Sequence, residues 1–374
     1  MRMVLAAGCT ALVLGCGSHE KAPVPSVPVT ASSALPPVQQ TRNDPPPKPE
    51  FKPERVWSEG AAMGTKVLFS GYTTDKVDAA EARAAFDRAL TEIKRVETLM
   101  TTWREDAELS RVNQAAGKSA VKVSDETFSL IEESVHTSQI SEGTFDITFE
   151  SLHGLWKFDQ DLDPHPPTAA AVRAKLPLVS YKHIKLDKAD KTVKLDTAGV
   201  KISLGGIAKG YAVDKAAAVL DAAGLTSYFI QAGGDLYARG TKPDGHGWLA
   251  GIRDPRAKDA HSFAMISLSD HAFSTAGDYE RSYIVNNKRY HHIIDPRTGF
   301  PATASRSVTV WAKTALQADA IDDAVFILGP EKGLKLVDSL DGVGVVIVDA
   351  NNKVWISERL KPVIKQTAQP TDGL

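Results

Sequence analysis

Residues 204–234 read LGGIAKGYAVDKAAAVLDAAGLTSYFIQAGG. Three kinds of segment meet in this stretch. Leu204-Gly205-Gly206 is a glycine turn, where the backbone can approach a ligand closely because no Cβ stands in the way. Ile207–Ala223 reads as a helix closed by Gly224, a residue suited to the left-handed conformation that ends helices. Ser227–Ala232 reads as a buried strand, stopped by Gly233-Gly234. A helix start behind a glycine turn offers unpaired N–H groups to an anion, and Lys209 adds a positive charge beside it. The spacing fits neither the phosphate loop of nucleoside triphosphatases nor the dinucleotide fingerprint of doubly wound folds. Taken alone, the turn reads equally well as a tight connection that packs a helix onto a sheet.

The same mixture extends outward. Ala79–Met100 places Ala82, Phe86, Leu90, Ile93, Val96 and Met100 at three-to-four spacing, the mark of an amphipathic helix. Ser124 can cap a second helix, with Asp125 and Glu126 in its first turn and its end near Gly143. Ser307–Ala312 alternates like a strand. Thr314-Ala-Leu-Gln317 is a capping-box pattern opening a helix that ends at Gly329-Pro330. Val343–Val348 and Val354–Ile356 form a last strand pair around Asn351-Asn352. Helices and strands follow each other without a regular strand–helix–strand rhythm, so the fold class is α+β rather than doubly wound. The patterned part runs over residues 56–364 with no internal repeat, and 365–374 reads as a flexible tail.

The chain has two cysteines, Cys9 and Cys16, so its folded part has no disulfide, no thiolate metal site and no cysteine nucleophile. A net charge of −2 with scattered lysines and arginines gives no general attraction to nucleic acid. The N-terminus carries the address. Arg2 precedes a short apolar run, Val4 to Gly15, too short to cross a bilayer as a helix. Residues 1–15 read as a signal peptide. Val13-Leu14-Gly15-Cys16 resembles a bacterial lipobox, which implies cleavage before Cys16 and lipidation of it; an ordinary cleaved signal peptide is the alternative. Residues 16–55, rich in Pro, Ala, Ser and Val, read as a disordered tether holding a globular domain off a membrane, on the periplasmic side.

Several further groups can carry chemistry. Asp319 and Asp323 are four apart, on one face of a helix and about 6 Å apart along its axis. Two like charges there invite a hard cation such as Mg²⁺ between them; the other reading of Asp319, Asp322 and Asp323 is a solvated acidic face. His291-His292 precedes the turn Asp295-Pro-Arg-Thr-Gly299. On a strand the two histidines point to opposite faces, so at most one serves a given site. Gly143-Thr-Phe-Asp146-Ile-Thr148 places an aspartate among apolar neighbours, either hydrogen-bonded and buried or touching a ligand.

In chain order these segments, together with Ala62-Met63-Gly64-Thr65, Thr102-Trp103-Arg104, Trp156-Lys-Phe158, Thr275-Ala-Gly-Asp-Tyr-Glu-Arg281 and Ala318-Asp-Ala320, closely resemble the motifs of ApbE-type FAD:protein FMN transferases. The resemblance covers roughly residues 56–360. It implies a T-fold-like α+β domain that binds FAD as substrate and, with Mg²⁺, transfers FMN to a Thr or Ser hydroxyl of an acceptor protein, releasing AMP. Carried over residue by residue, it implies Gly206, Asp319 and Asp323 as metal ligands. Met63, Trp103, Thr144, Phe145, Asp146, Ser203, Lys209 and His292 fall at FAD-contact positions, with His292 as the catalytic residue and Asp146 holding a polar edge of the nucleotide. The chain departs from the family pattern in four places. Asp323 stands where Thr is usual, Ser203 where Asp is usual, Ala276 for Ser and Trp103 for Tyr. Those departures leave two alternatives: an FAD pyrophosphatase, with water replacing the acceptor, and a periplasmic FAD-binding lipoprotein.

Overall fold

The computed structural model describes residues 51–158, 161–259 and 261–373. The signal segment 1–15, the lipidation candidate Cys16 and the tether up to residue 50 lie outside them. Strand β1 (Arg55–Ala62) opens the fold, and Glu54 already donates its amide to Thr73 Oγ1 at 2.8 Å.

Eight strands form the central sheet: β1, β2 (Thr65–Tyr72), β3 (Tyr228–Ala232), β4 (Asp235–Arg239), β5 (His271–Gly277), β6 (Ser305–Ala312), β7 (Gly344–Asp349) and β8 (Val354–Ile356). They lie side by side in chain order, each antiparallel to its neighbours. Antiparallel pairing needs no crossover helix, so helices enter as insertions between neighbouring strands, which is the irregular rhythm seen in the sequence. Helices α1 (Ala79–Met100), α2 (Asp125–Ile140), α3 (Ala208–Ala222) and α4 (Ala315–Asp338) belong to these insertions. The aliphatic and aromatic faces of α1, α3 and α4 pack on one face of the sheet. A small antiparallel sheet, Trp248–Arg253, Ser262–Leu268 and Ile364–Gln366, covers the other. Strand β7 shows why its sequence lacks polar alternation: Val345 and Ile347 enter the helix-side core, and Val346 and Val348 the opposite one.

The helix starts follow their caps. Asp78 accepts the amides of Ala80 and Glu81 while Glu81 returns a bond to the Asp78 amide, closing a capping box on α1. Ser124 caps α2 and Thr314 caps α4. Gly329, at φ 75°, breaks α4 where the sequence placed its end, but a further helical segment follows directly. Proline is tolerated in the first turn of a helix, so Pro330 both stops one segment and begins the next. The sequence showed only the stop.

The C-terminal segment corrects the expectation of a flexible tail. Ile364–Gln366 pairs with Ser262–Leu268, and Thr367 donates to the Phe263 carbonyl at 2.8 Å. Beyond it, the amide and hydroxyl of Thr371 both reach Asp254 Oδ2, at 2.7 and 2.6 Å, and Arg306 meets Asp372 at 3.0 Å. An exposed sheet edge and a buried carboxylate each required partners, and this polar stretch supplies them.

Candidate active site

The glycine turn, the start of α3 and the first half of α4 converge beside the end of the sheet. A Cβ built on Gly206 would lie 3.4 Å from Asp323 Oδ2 and 3.3 Å from the Phe145 ring, so both side chains face this glycine. Four residues on, a Cβ at Gly210 would collide with the Ala315 carbonyl. Only glycine lets α3 and α4 approach this closely. The Gly210 amide donates to Asp319 Oδ2 at 2.8 Å, which places Asp319 one helical turn from Asp323 on the side facing the glycine turn.

Charge is concentrated here. Asp235, Asp319 and Asp322 are buried and Asp323 is half-buried, so the acidic face is not a solvated one. Lys209 sits among them, 2.6 Å from Asp235 Oδ2 and 3.5 Å from Asp319 Oδ1. Burial opposes its positive charge, but Asp235 and Asp319 more than offset this and hold its pKa above the ordinary lysine value. Ser274 Oγ lies 2.8 Å from Asp235 Oδ1 and 2.7 Å from Asp322 Oδ2. One hydroxyl proton cannot serve both contacts, so one carboxyl must itself be protonated. Asp322 is the one: burial, then Asp323 and Asp319, push its pKa well above the usual range. Burial also raises Asp319 and Asp323.

One ammonium faces four carboxyl groups here, and the raised pKa values of Asp319, Asp322 and Asp323 are the mark of a cluster short of positive charge. Among the described residues the Asp323 carboxylate has no hydrogen bond or ion pair, although it is half-buried and aimed at a glycine backbone. Two carboxylates one turn apart, one of them set against the backbone of a glycine turn, fit a hard divalent cation that takes oxygen ligands. No three acidic or histidine side chains among the described residues form a complete cage. Mg²⁺ needs no such cage, since it keeps waters and takes phosphate oxygens.

The remaining sequence candidates divide. Thr144 is buried and donates its hydroxyl to Ser141, with the Ala324 carbonyl on α4 at 3.3 Å. Asp146, expected to hold a nucleotide edge, accepts from the Thr148 amide and hydroxyl at 2.8 and 2.6 Å and from the Tyr181 amide at 2.6 Å. Its carboxylate thus ties the 144–148 loop, which presents Phe145 to Gly206. Ser203 Oγ accepts the Gly205 amide at 3.3 Å and shapes the glycine turn from within. Met63 forms the β1–β2 turn with Gly64, both at positive φ, and Thr65 beside them abuts Gly233. Trp103 is 87% exposed and meets only His153 edge-on among ring contacts of the described residues. Asp235 and Ser274 were not singled out in the sequence. The signal available for Asp235 was an aspartate directly after Gly233-Gly234, opening an otherwise apolar strand.

The two histidines separate as strand geometry requires. His291 is buried, donates Nε2–H to the Ala302 carbonyl at 2.8 Å and packs its ring edge-on to Phe326, a structural role. His292 Nδ1 is buried without a partner. Burial, then the nearby Arg281 charge, pushes the His292 pKa down to about 3, and Lys209 adds to the effect. His292 is therefore neutral at pH 7.

The sign of the linkage follows from that depression. Unfolding returns the imidazole to about 6.5, so the unfolded chain takes up protons first as pH falls. The stability it contributes is whole above about pH 6.5 and is lost progressively towards pH 3. Between pH 7 and 5 this amounts to about 2 kcal/mol. Urea unfolding of His292→Gln is expected to show an acid loss of stability smaller by about that amount; an identical loss would contradict the buried neutral state.

The ApbE family model matches residues 63–347. An FAD:protein FMN transferase of Klebsiella pneumoniae is 30% identical over 310 residues, covering 81% of this chain and 87% of its own. One from Treponema pallidum is 33% identical over 301 residues, covering 75% and 82%. The solved ApbE protein of Thermotoga maritima superposes with a TM-score of 0.75 at 32% identity, over 83% of this chain and 99% of that one. The flavin transferase ApbE from Vibrio cholerae does so with a TM-score of 0.73 at 29% identity, over 83% and 100%.

Proposed function

Because the chain belongs to the ApbE family, we propose that it is a Mg²⁺-dependent transferase that moves the FMN half of FAD onto a Thr or Ser hydroxyl of an acceptor protein. The observation that carries this reading is the placing of Asp323 against Gly206 and of Asp319 against Gly210, four residues on, at the junction of α3 and α4.

In the reaction the acceptor oxygen bonds to the flavin-side phosphorus of FAD, the bond from that phosphorus to the bridging oxygen breaks, and AMP leaves carrying that oxygen. Phosphoryl transfer of this kind needs positioning and charge neutralisation more than a protein nucleophile, in keeping with a folded part that has no cysteine. Asp319, Asp323 and the Gly206 carbonyl would hold Mg²⁺, which when bound neutralises diphosphate charge. The amides at the start of α3 are largely engaged, Ala208 with the Leu204 carbonyl and Gly210 with Asp319, both at 2.8 Å, so the helix contributes mainly its dipole. Lys209, fixed between Asp235 and Asp319, contributes a charge that cannot swing away.

The neutral imidazole of His292 is available to take the hydroxyl proton. Its low proton affinity comes from burial and neighbouring cations, and the negative charge of a bound diphosphate would raise it. His292 would thus become basic only when substrate is present. Asp323 in place of Thr adds a second carboxylate to the ion's site, and Ser203 in place of Asp removes one from the glycine turn, so the anionic charge moves rather than grows.

Incubating the protein with FAD and Mg²⁺, with and without a flavin-acceptor domain, tests the reading. AMP together with FMN on the acceptor supports it. AMP with free FMN would make the protein a pyrophosphatase, and tight FAD binding without AMP would make it a carrier. We further propose that lipid on Cys16 holds the domain at the periplasmic face of a membrane. Cys16→Ser is then expected to move the protein from the membrane to the soluble fraction, and unchanged membrane retention would refute the anchor.

A further inference from the structure

Helix α4 carries Asp319 and Asp323, so its rotation and height against α3 decide whether they face Gly206. The amides of a helix's first three residues lack helical partners. In α4 all three are accounted for. Ala315 and Leu316 donate to the two oxygens of Asp214, at 2.8 and 2.9 Å. Gln317 donates to Thr314 Oγ1 at 3.2 Å, and the helical ladder begins with Ala318 donating to the Thr314 carbonyl at 3.2 Å.

Asp214 lies on α3, the helix that begins just after the glycine turn. One turn earlier on α3 is Gly210, whose amide holds Asp319. The helices are therefore tied at two points, each one turn from the other: Gly210 to Asp319, and Asp214 to Ala315 and Leu316. A single tie would leave α4 free to pivot about it; the second fixes both its rotation and its height. A carboxylate also suits the positive end of a helix dipole. Thr314 already serves its own helix as cap, and a local cap cannot orient one helix against another.

We propose that Asp214 is a positioning residue for the ion site: by clasping the first two amides of α4 it holds Asp319 and Asp323 in register with Gly206. This rests on the transferase reading, but the clasp binds no substrate and its partners are backbone amides a turn away from Asp319.

The test uses the full chain, with Mn²⁺ binding followed by calorimetry in the absence of FAD, alongside FMN-transfer kinetics at varied Mg²⁺. Asp214→Ala removes both acceptors. Asp214→Asn keeps the size and one acceptor, and remains informative if the alanine variant folds poorly. Asp214→Ala is expected to weaken Mn²⁺ binding about tenfold and to raise the half-saturating Mg²⁺ concentration to match. The rate at saturating Mg²⁺ should stay within about twofold of the parent, and Asp214→Asn should fall between the two. A purely structural role would instead lower the folded fraction and the rate without moving metal affinity. Parent-like Mn²⁺ affinity in the folded variants overturns the proposal. Failure of the unaltered protein to bind Mn²⁺ or to transfer flavin would instead remove the transferase reading, and the two failures are distinguishable in the same data.

Discussion

Asp319→Asn is expected to cut FMN transfer on the order of a thousandfold while leaving the fold as stable as before, or more so. The rate effect corresponds to about 4 kcal/mol of lost transition-state stabilisation. It follows because an amide oxygen is a poor ligand for a hard divalent cation that must be gripped against its own hydration shell. The stability effect runs the other way, for reasons visible in the contacts of Asp319. Asp319 is buried, faces the like charges of Asp235 and Asp323, and has its pKa raised by burial first and Asp235 next. Asparagine keeps an oxygen for the Gly210 amide and removes the repulsion. Lys209 retains Asp235 at 2.6 Å. Asp319→Ala should lose activity as fully but also leave the Gly210 amide unsatisfied, at a cost of about 1–3 kcal/mol. A rate for Asp319→Asn near that of the parent would remove Asp319 from the chemistry.

His292→Ala is expected to slow transfer about 10²- to 10⁴-fold, the range typical of a lost general acid or base. The effect should fall on kcat, since the imidazole gains its importance as the hydroxyl loses its proton. The fold should survive, because the His292 amide keeps its bond to the Arg281 carbonyl at 3.1 Å and side-chain Nδ1 has no partner to lose. His291→Ala makes the contrast. It would delete the bond to Ala302 and the contact with Phe326, so its main cost is in stability. A kcat unchanged in His292→Ala would leave proton transfer to water or the phosphate itself.

The parts of this protein legible in sequence are those governed by neighbours along the chain. Ser124 and Thr314 announce helix starts because a cap bonds to amides two or three residues away. Val343–Val348 announces a strand because its apolar, β-branched residues are contiguous. The i, i+4 pairing of Asp319 and Asp323 and the glycine turn before Lys209 belong to the same class, and their resemblance to a known motif order joined them. Distant pairings were illegible. Asp235 meets Ser274 across 39 residues and Asp214 meets Ala315 across 101. In isolation each is one more polar residue on a strand or helix. Asp146 was legible by half: an aspartate among apolar residues had to be hydrogen-bonded or touch a ligand, and its carboxylate accepts three bonds from its own and a neighbouring loop, partners the sequence did not identify. The tail failed to declare itself because its docking depends on Asp254, more than a hundred residues away.

The most direct test of the central claim is a crystal structure with ADP and Mn²⁺, located by its anomalous scattering. The account expects one peak between the carboxylates of Asp319 and Asp323 and the Gly206 carbonyl, also touching diphosphate oxygens. A diphosphate bound elsewhere, or an ion that leaves both carboxylates untouched, would contradict it.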